Sequence, residues 1–226
     1  MRPLLIWKNV LKNWRKKMTN KKKLIIGLQV AATLYLVGNM IYSNMQAFDL
    51  MSTAMGLLGL FGNILLAHKK SGTFALNMSN NILGGVLSFQ NRFFAEVGMN
   101  IIYFVTQAFG GIPYFKKHKD AKGEVETKSE IEWAKIITYI LFGTLAMGLV
   151  SKYFDGNMIV LDSIQNGIAI GAQLRQMNGN ADGWLLWVVS NIINIIVWAS
   201  VGNWILVASF AAYAIVALSG YLNWSE

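Results

Sequence analysis

Trp184, Trp187, Asn191, Asn194 and Trp198 recur at steps of three, four, three and four in the segment WLLWVVSNIINIIVW (184–198). On a helix this spacing places three indoles and two amides on one face and leaves Leu, Ile and Val on the remainder. An amide among apolar groups costs free energy unless it meets a partner or water. An indole offers a flat apolar face with an N–H at its edge. The stripe therefore suits a flat, hydrogen-bonding, water-soluble ligand. It equally suits helix–helix association, in which Asn bonds across a membrane interface.

Similar polar stripes recur elsewhere. Segment 73–90 carries Asn77, Asn80, Asn81 and Ser88, segment 93–112 carries Glu96, Asn100, Tyr103 and Gln107, and segment 158–175 carries Asp162, Asn166 and Gln173. Asn63 adds an amide on 48–67. The candidate substrate-binding set is Trp187, Asn191, Asn194, Trp198, Asn77, Asn81, Ser88, Asn100, Tyr103, Gln107, Asn166 and Gln173, with an indole stacking on a ring and the amides taking hydroxyls and a carboxamide. Trp184 and Trp204 read instead as interfacial belt residues. For Glu96 and Asp162 three roles stay open: attracting a cationic substrate at an outer mouth, coupling transport to a proton, or capping a helix. No catalytic Ser/His/Asp set, metal cluster or phosphate loop stands in the sequence, and it holds no cysteine. An enzyme, a cofactor and a metal site are therefore not expected.

Composition supplies the elements that must hold these residues. With 54% apolar and 14% charged residues the chain reads as an all-α membrane protein. Spans of about 20 residues fit at 24–43, 48–67, 73–90, 93–112, 132–152, 158–175, 183–201 and 203–222, eight in all. The net charge of +9 is concentrated: nine of the twenty Lys and Arg precede residue 24, and most others fall in alternate loops. That distribution orients a membrane protein with both termini in the cytoplasm and speaks against nucleic acid as a partner. Residues 1–23 read as a cytoplasmic amphipathic basic segment, with Trp7, Leu11, Trp14 and Met18 forming its apolar stripe against the lipid bilayer. His68 and His118 fall in basic inner loops.

The basic loop 114–131 divides the remainder. On either side of it the sequence aligns without a gap at an offset of 110 residues, carrying 48–112 onto 158–222. Asn81 meets Asn191, Tyr103 meets Tyr213 and Gly110 meets Gly220, with related pairs Phe74–Trp184 and Tyr114–Trp224. The expected layout is an extra N-terminal helix at 24–43, a first three-helix repeat at 44–113, a linker helix at 132–153 and a second repeat at 154–224. This is a 3+1+3 parallel-repeat core with its site between the repeats near the midplane. Segments 73–90 and 183–201 should then face each other. Gly56, Gly59 and Gly62 form a small-residue face, Gly84-Gly85 and Gly110-Gly111 are candidate hinges, and Pro113 is expected to end its helix.

The segments GLLGLFGNILLAHKKSG (56–72), DSIQNGIAIGAQL (162–174), WLLWVVSN (184–191) and AAYAIVALSGYLNW (211–224) resemble the PnuC-type vitamin transporters over about residues 48–224. The resemblance implies a SWEET-like fold in the bacterial cytoplasmic membrane. It also implies uptake of nicotinamide riboside by facilitated diffusion and functional coupling to a cytoplasmic kinase that traps the product. Thiamine, riboflavin or a deoxynucleoside as substrate remains open, as does a non-transporting membrane assembly role. The sequence is also compatible with a homo-oligomer.

Overall fold

The computed structural model describes residues 20–46, 49–121 and 123–225. The amphipathic stripe expected at Trp7 to Met18 lies outside them. Eight helical rods run through the described residues. They are α1 (Asn20–Gln46), α2 (Leu50–Ala67), α3 (Thr73–Gln90), α4 (Phe94–Thr106) with its continuation α5 (Ile112–Lys117), α6 (Trp133–Tyr153), α7 (Ile159–Met177), α8 (Asp182–Ser200) and α9 (Trp204–Trp224). Each matches an expected span to within a few residues, except that α4 and α5 run on past 112. Five of the helices, α1, α2, α6, α8 and α9, are long and apolar enough to cross a membrane. The exceptions are informative: α3 and α7 carry Asn and Gln along one face, and α4 is interrupted.

Neighbouring helices close a ring in the order α2, α3, α4, α7, α8, α9 and back to α2. In that order α3 and α8 stand opposite each other. The two remaining helices back the ring from outside, α6 on α7 and α4, α1 on α9 and α2. Their outer faces display Leu34, Leu141, Phe142 and Leu145, a surface suited to lipid rather than water.

Helix starts are secured locally. Asp49 accepts from the Ser52 N–H at 2.9 Å to cap α2, and Asn203 accepts from the Leu206 N–H at 3.1 Å to cap α9. Phe93, at the corresponding start of α4, has no capping side chain. Asp162 on α7 supplies it from across the seam, its Oδ2 accepting from the Ala95 N–H at 3.0 Å.

Between α4 and α5 the chain makes a π-helical turn, Gln107–Gly111. Such a turn holds one residue more than an α-helix needs over the same length. Two findings follow. Pro113 does not end its helix, because the wider turn just before it absorbs the missing donor, and the rod continues to Lys117. The gap-free pairing of Gly110 with Gly220 and Tyr114 with Trp224 also slips by one. Phe74 packs on Gly111 and edge-on to Phe115, with centroids 5.0 Å apart, just as Trp184 packs on Gly220 and edge-on to Trp224 at 5.5 Å.

Of the expected basic loop 114–131, residues 114–117 still belong to α5, and the described residues beyond them form a strap across one end of the ring. Lys128 exchanges backbone bonds of 2.8 Å with Gly179 and Ala181, Thr127 Oγ1 donates to the Trp224 carbonyl at 2.9 Å, and Lys70 Nζ reaches Glu124 at 3.1 Å. Val125 is buried beneath it. At the same end Arg175, itself buried, donates through Nε to both Asp182 oxygens at 3.0 Å, through Nη1 to Glu132 and through Nη2 to the Glu130 carbonyl at 2.9 Å. This cluster joins the near ends of α6, α7 and α8. Hydrogen bonds from Lys135 and Arg175 hold the Glu132 carboxyl below the usual range.

Candidate functional site

A cavity occupies the centre of the ring, and α3 and α8 line it from opposite sides. Asn77 and Asn81 face it from one helix, and Trp184, Trp187, Asn191 and Asn194 from the other. Glu96, Asn100, Tyr103 and Gln107 complete it from the α4 rod, and Asn166 and Gln173 from α7. Ten of the twelve expected substrate-binding residues line the cavity, and two fail on depth. Trp198 is fully buried beyond the lining, edge-on to Phe93 at 5.3 Å, and Ser88 is buried near the same end. Both share a helical face with lining residues but sit too far along the axis. Asp162 is likewise outside the lining, since its two oxygens bond the Ala95 N–H and Asn166 Nδ2. Of its three open roles, helix capping is the one its contacts express.

Trp184 corrects the belt expectation. It is 2% exposed, lines the cavity and packs on Gly220, whereas Trp204 is 62% exposed. Four rings, Phe74, Phe115, Trp224 and Trp184, form a continuous chain of contacts at the strap end. Higher up, Tyr103 and Trp187 meet at 5.6 Å, and Trp187 Nε1 donates to Gln176 Oε1 at 3.0 Å. Gln165 and Gln176 were not among the expected site residues although both line the cavity. Their spacing of eleven residues, three helical turns, would have placed them on one face.

The amides share a pattern. Their NH2 groups are taken up by the protein: Asn77 by Thr73 Oγ1 at 2.9 Å, Asn80 by the Met55 carbonyl at 2.6 Å, Asn100 by the Glu96 carbonyl at 2.9 Å, Gln165 by Ser190 Oγ at 3.0 Å and Gln173 by Thr106 Oγ1 at 2.9 Å. Carbonyl oxygens are then left over. Among cavity-lining residues, Glu96 Oε2, Gln107 Oε1, Gln165 Oε1, Asn166 Oδ1 and Asn194 Oδ1 are buried acceptors with no partner among the described residues. Donors in that condition are fewer: Asn81 Nδ2, Gln176 Nε2 and Trp184 Nε1. Which amide atom is oxygen follows from the hydrogen-bond network. Buried polar atoms without partners are rare in folded proteins, and their concentration around one cavity marks a place for a polar ligand rich in donors.

The family described as Nicotinamide mononucleotide transporter matches residues 49–226. The chain belongs to that family. It is therefore a multi-pass membrane transporter and not an enzyme. Three relatives called nicotinamide riboside transporter PnuC are similar along most of their length. That of Neisseria mucosa is 20% identical, covering 78% of this chain and 72% of the relative. That of Haemophilus influenzae is 23% identical, with 76% and 77% covered. That of Escherichia coli is 20% identical, with 71% and 78% covered. The crystal structure of the vitamin B3 transporter PnuC has the same fold, with a TM-score of 0.74 at 19% identity over 88% of this chain and 90% of that one.

Proposed function

We propose that the chain carries nicotinamide riboside across the bacterial cytoplasmic membrane by facilitated diffusion. Two three-helix units, 44–113 and 154–224, related by an axis along the membrane normal, would rock to expose the central cavity to each side in turn. α6 would serve as the linker and α1 as the extra helix. The matching neighbour relations, α2 against α9 and α4 against α7, support that pairing. The basic strap end would face the cytoplasm, with both termini there, and a cytoplasmic kinase would trap the product.

One observation carries the choice of substrate. The cavity is lined by indoles and acceptor-rich amides, and among its lining residues Glu96 is the one carboxyl while Lys, Arg and His are missing. A mononucleotide would bring a phosphate into a site with no cation to meet it, a desolvation cost without return. A riboside brings hydroxyl donors, a carboxamide and a flat ring, which the site can satisfy. The names of the relatives agree with this reading.

The test is uptake of labelled nicotinamide riboside into liposomes holding the purified chain, with nicotinamide mononucleotide, thiamine, riboflavin and deoxynucleosides as competitors. Saturable uptake resisted by the mononucleotide is expected. Trp187→Ala should weaken it on the order of tenfold or more, the loss of one stacking platform. Uptake blocked by thiamine but indifferent to the riboside would replace the substrate assignment.

A further inference from the structure

The formal charge of the cavity is unbalanced. Glu96, in the first turn of α4, is 5% exposed, and its Oε2 has no partner among the described residues. Trp198 of α8 sets its indole N–H against this carboxyl, the neutral amides of Asn81 and Asn194 share the cavity lining with it, and the neighbouring α7 contributes a second acid, Asp162. Asp162 is already engaged at both oxygens. Arg175, a buried cation on α7, is held by Asp182 and Glu132 at the strap end. Nor does the ring need an acid here for packing, because Leu206 takes the corresponding place on α9 and is fully buried. A carboxylate removed from water without an opposite charge is costly. Among the described residues no Lys, Arg or His lines the cavity, and a cationic ligand would supply the balancing charge.

We infer that Glu96 is the counter-ion for a permanently charged heteroaromatic ring and selects a pyridinium cation over a neutral ring of the same outline. The inference rests on the riboside-carrier reading and adds a specificity residue to it. Nicotinamide riboside and its reduced 1,4-dihydro form share the ribose and the carboxamide and differ by the ring's positive charge, so the pair isolates the contact. Titration calorimetry on the full chain in lipid nanodiscs should show wild type favouring the cation. In Glu96→Gln that preference should fall on the order of tenfold, as expected for one charge-assisted contact. Comparing the two ratios cancels what ring shape contributes against Trp187. Should E96Q fail to fold, E96L, which borrows the residue at 206, carries the same test. An unchanged preference in either variant overturns the inference, as does a wild type indifferent to ring charge, which would point to a protonated Glu96. A wild type that binds neither riboside overturns the carrier reading as well.

Discussion

Two seams close the ring, and they hold corresponding places in it while presenting opposite chemistry. Where α4 meets α7 the cavity wall is Glu96, Asn100, Gln107, Gln165, Asn166, Gln173 and Gln176; where α9 meets α2 it is Phe210, Ala217, Met55 and Leu66, with Asn63 and the Tyr213 hydroxyl as its polar groups. Even that hydroxyl is spent internally, donating to the Met55 and Gly56 carbonyls at 3.1 and 2.9 Å. A cavity with one polar and one apolar wall holds an unsymmetrical ligand in one orientation. Helix placement and side-chain chemistry are therefore separable in this ring. The helix neighbours α2–α9 and α4–α7 hold like places in the ring while their cavity walls differ.

The buttresses differ in the same sense, and breaking them tests how far the seams are independent. The polar seam is braced by the Arg175 cluster, whereas position 65, the counterpart of 175 at the offset of 110, is Leu. Arg175→Met should destabilise the protein by about 3–5 kcal/mol, because it strands the buried Asp182 carboxylate. Leu65→Met should cost less than about 1.5 kcal/mol. Unfolding monitored by intrinsic fluorescence separates the two, and equal losses would dissolve the contrast. The next largest effect concerns register. A Cβ at Gly111 or Gly220 would collide with Phe74 or Trp184, while one at Gly110 meets nothing within 4 Å. Gly111→Ala and Gly220→Ala should each cost about 1–3 kcal/mol, and Gly110→Ala should be close to neutral. If 110 rather than 111 proves sensitive, the one-residue slip is wrong.

That slip also marks the limit of what could be read beforehand. The rods were legible because apolar runs of span length have few alternatives, and the opposition of α3 and α8 followed from the amides common to both. The π turn was not legible, since it is a backbone event whose nearest signals, Gly110-Gly111 and Pro113, also fit an ordinary helix end. Facing was legible and depth was not. Trp184, Ser88 and Trp198 lie on cavity-directed stripes, yet the first lines the cavity and the other two lie past its end. Asp162 reads as a suspicious carboxylate in a span, and only the folded seam reveals the bare helix start it caps. The strap hid behind its lysines, with Val125 as a buried apolar anchor.

Capping gives a third, smaller contrast. α9 is capped by its own Asn203, which also donates to Ser52 Oγ at 2.8 Å, and α4 by Asp162 from across the seam. Asn203→Ala should cost about 0.5–2 kcal/mol. Asp162→Ala should cost more, because the Ala95 N–H loses its acceptor and the Asn166 amide loses one of its two, keeping the Asp162 carbonyl. Thermal melting of the two variants side by side would show it, and equal shifts would deny the trans cap. The weakest expected effect is a pH dependence confined to the apolar seam. His68 bonds Gln29 Oε1 at 2.9 Å, joining α1 to the end of α2, and its counterpart 178 is Asn. Burial holds the imidazole below its ordinary 6.5, Lys70 adds in the same direction and Glu124 opposes. The unfolded chain therefore takes up a proton at higher pH than the folded one. The stability this gives is complete above about 6.5 and is lost as pH falls from there through the folded value. Melting temperature scanned from pH 7.5 to 5.5 should decline more for wild type than for His68→Asn.

The surplus residue in the π turn has a consequence for how this rod tolerates changes of length. Deleting a residue from the middle of a helix swings everything beyond it by about 100° and scrambles its packing. Between Ala108 and Gly110 the same deletion would instead return the turn to an ordinary pitch, leaving Gly111 over Phe74 and Phe115 beside Trp224. A shortened chain that still folds there, and fails when Ala217 is removed from α9, would show that this half carries a spare link that its partner lacks.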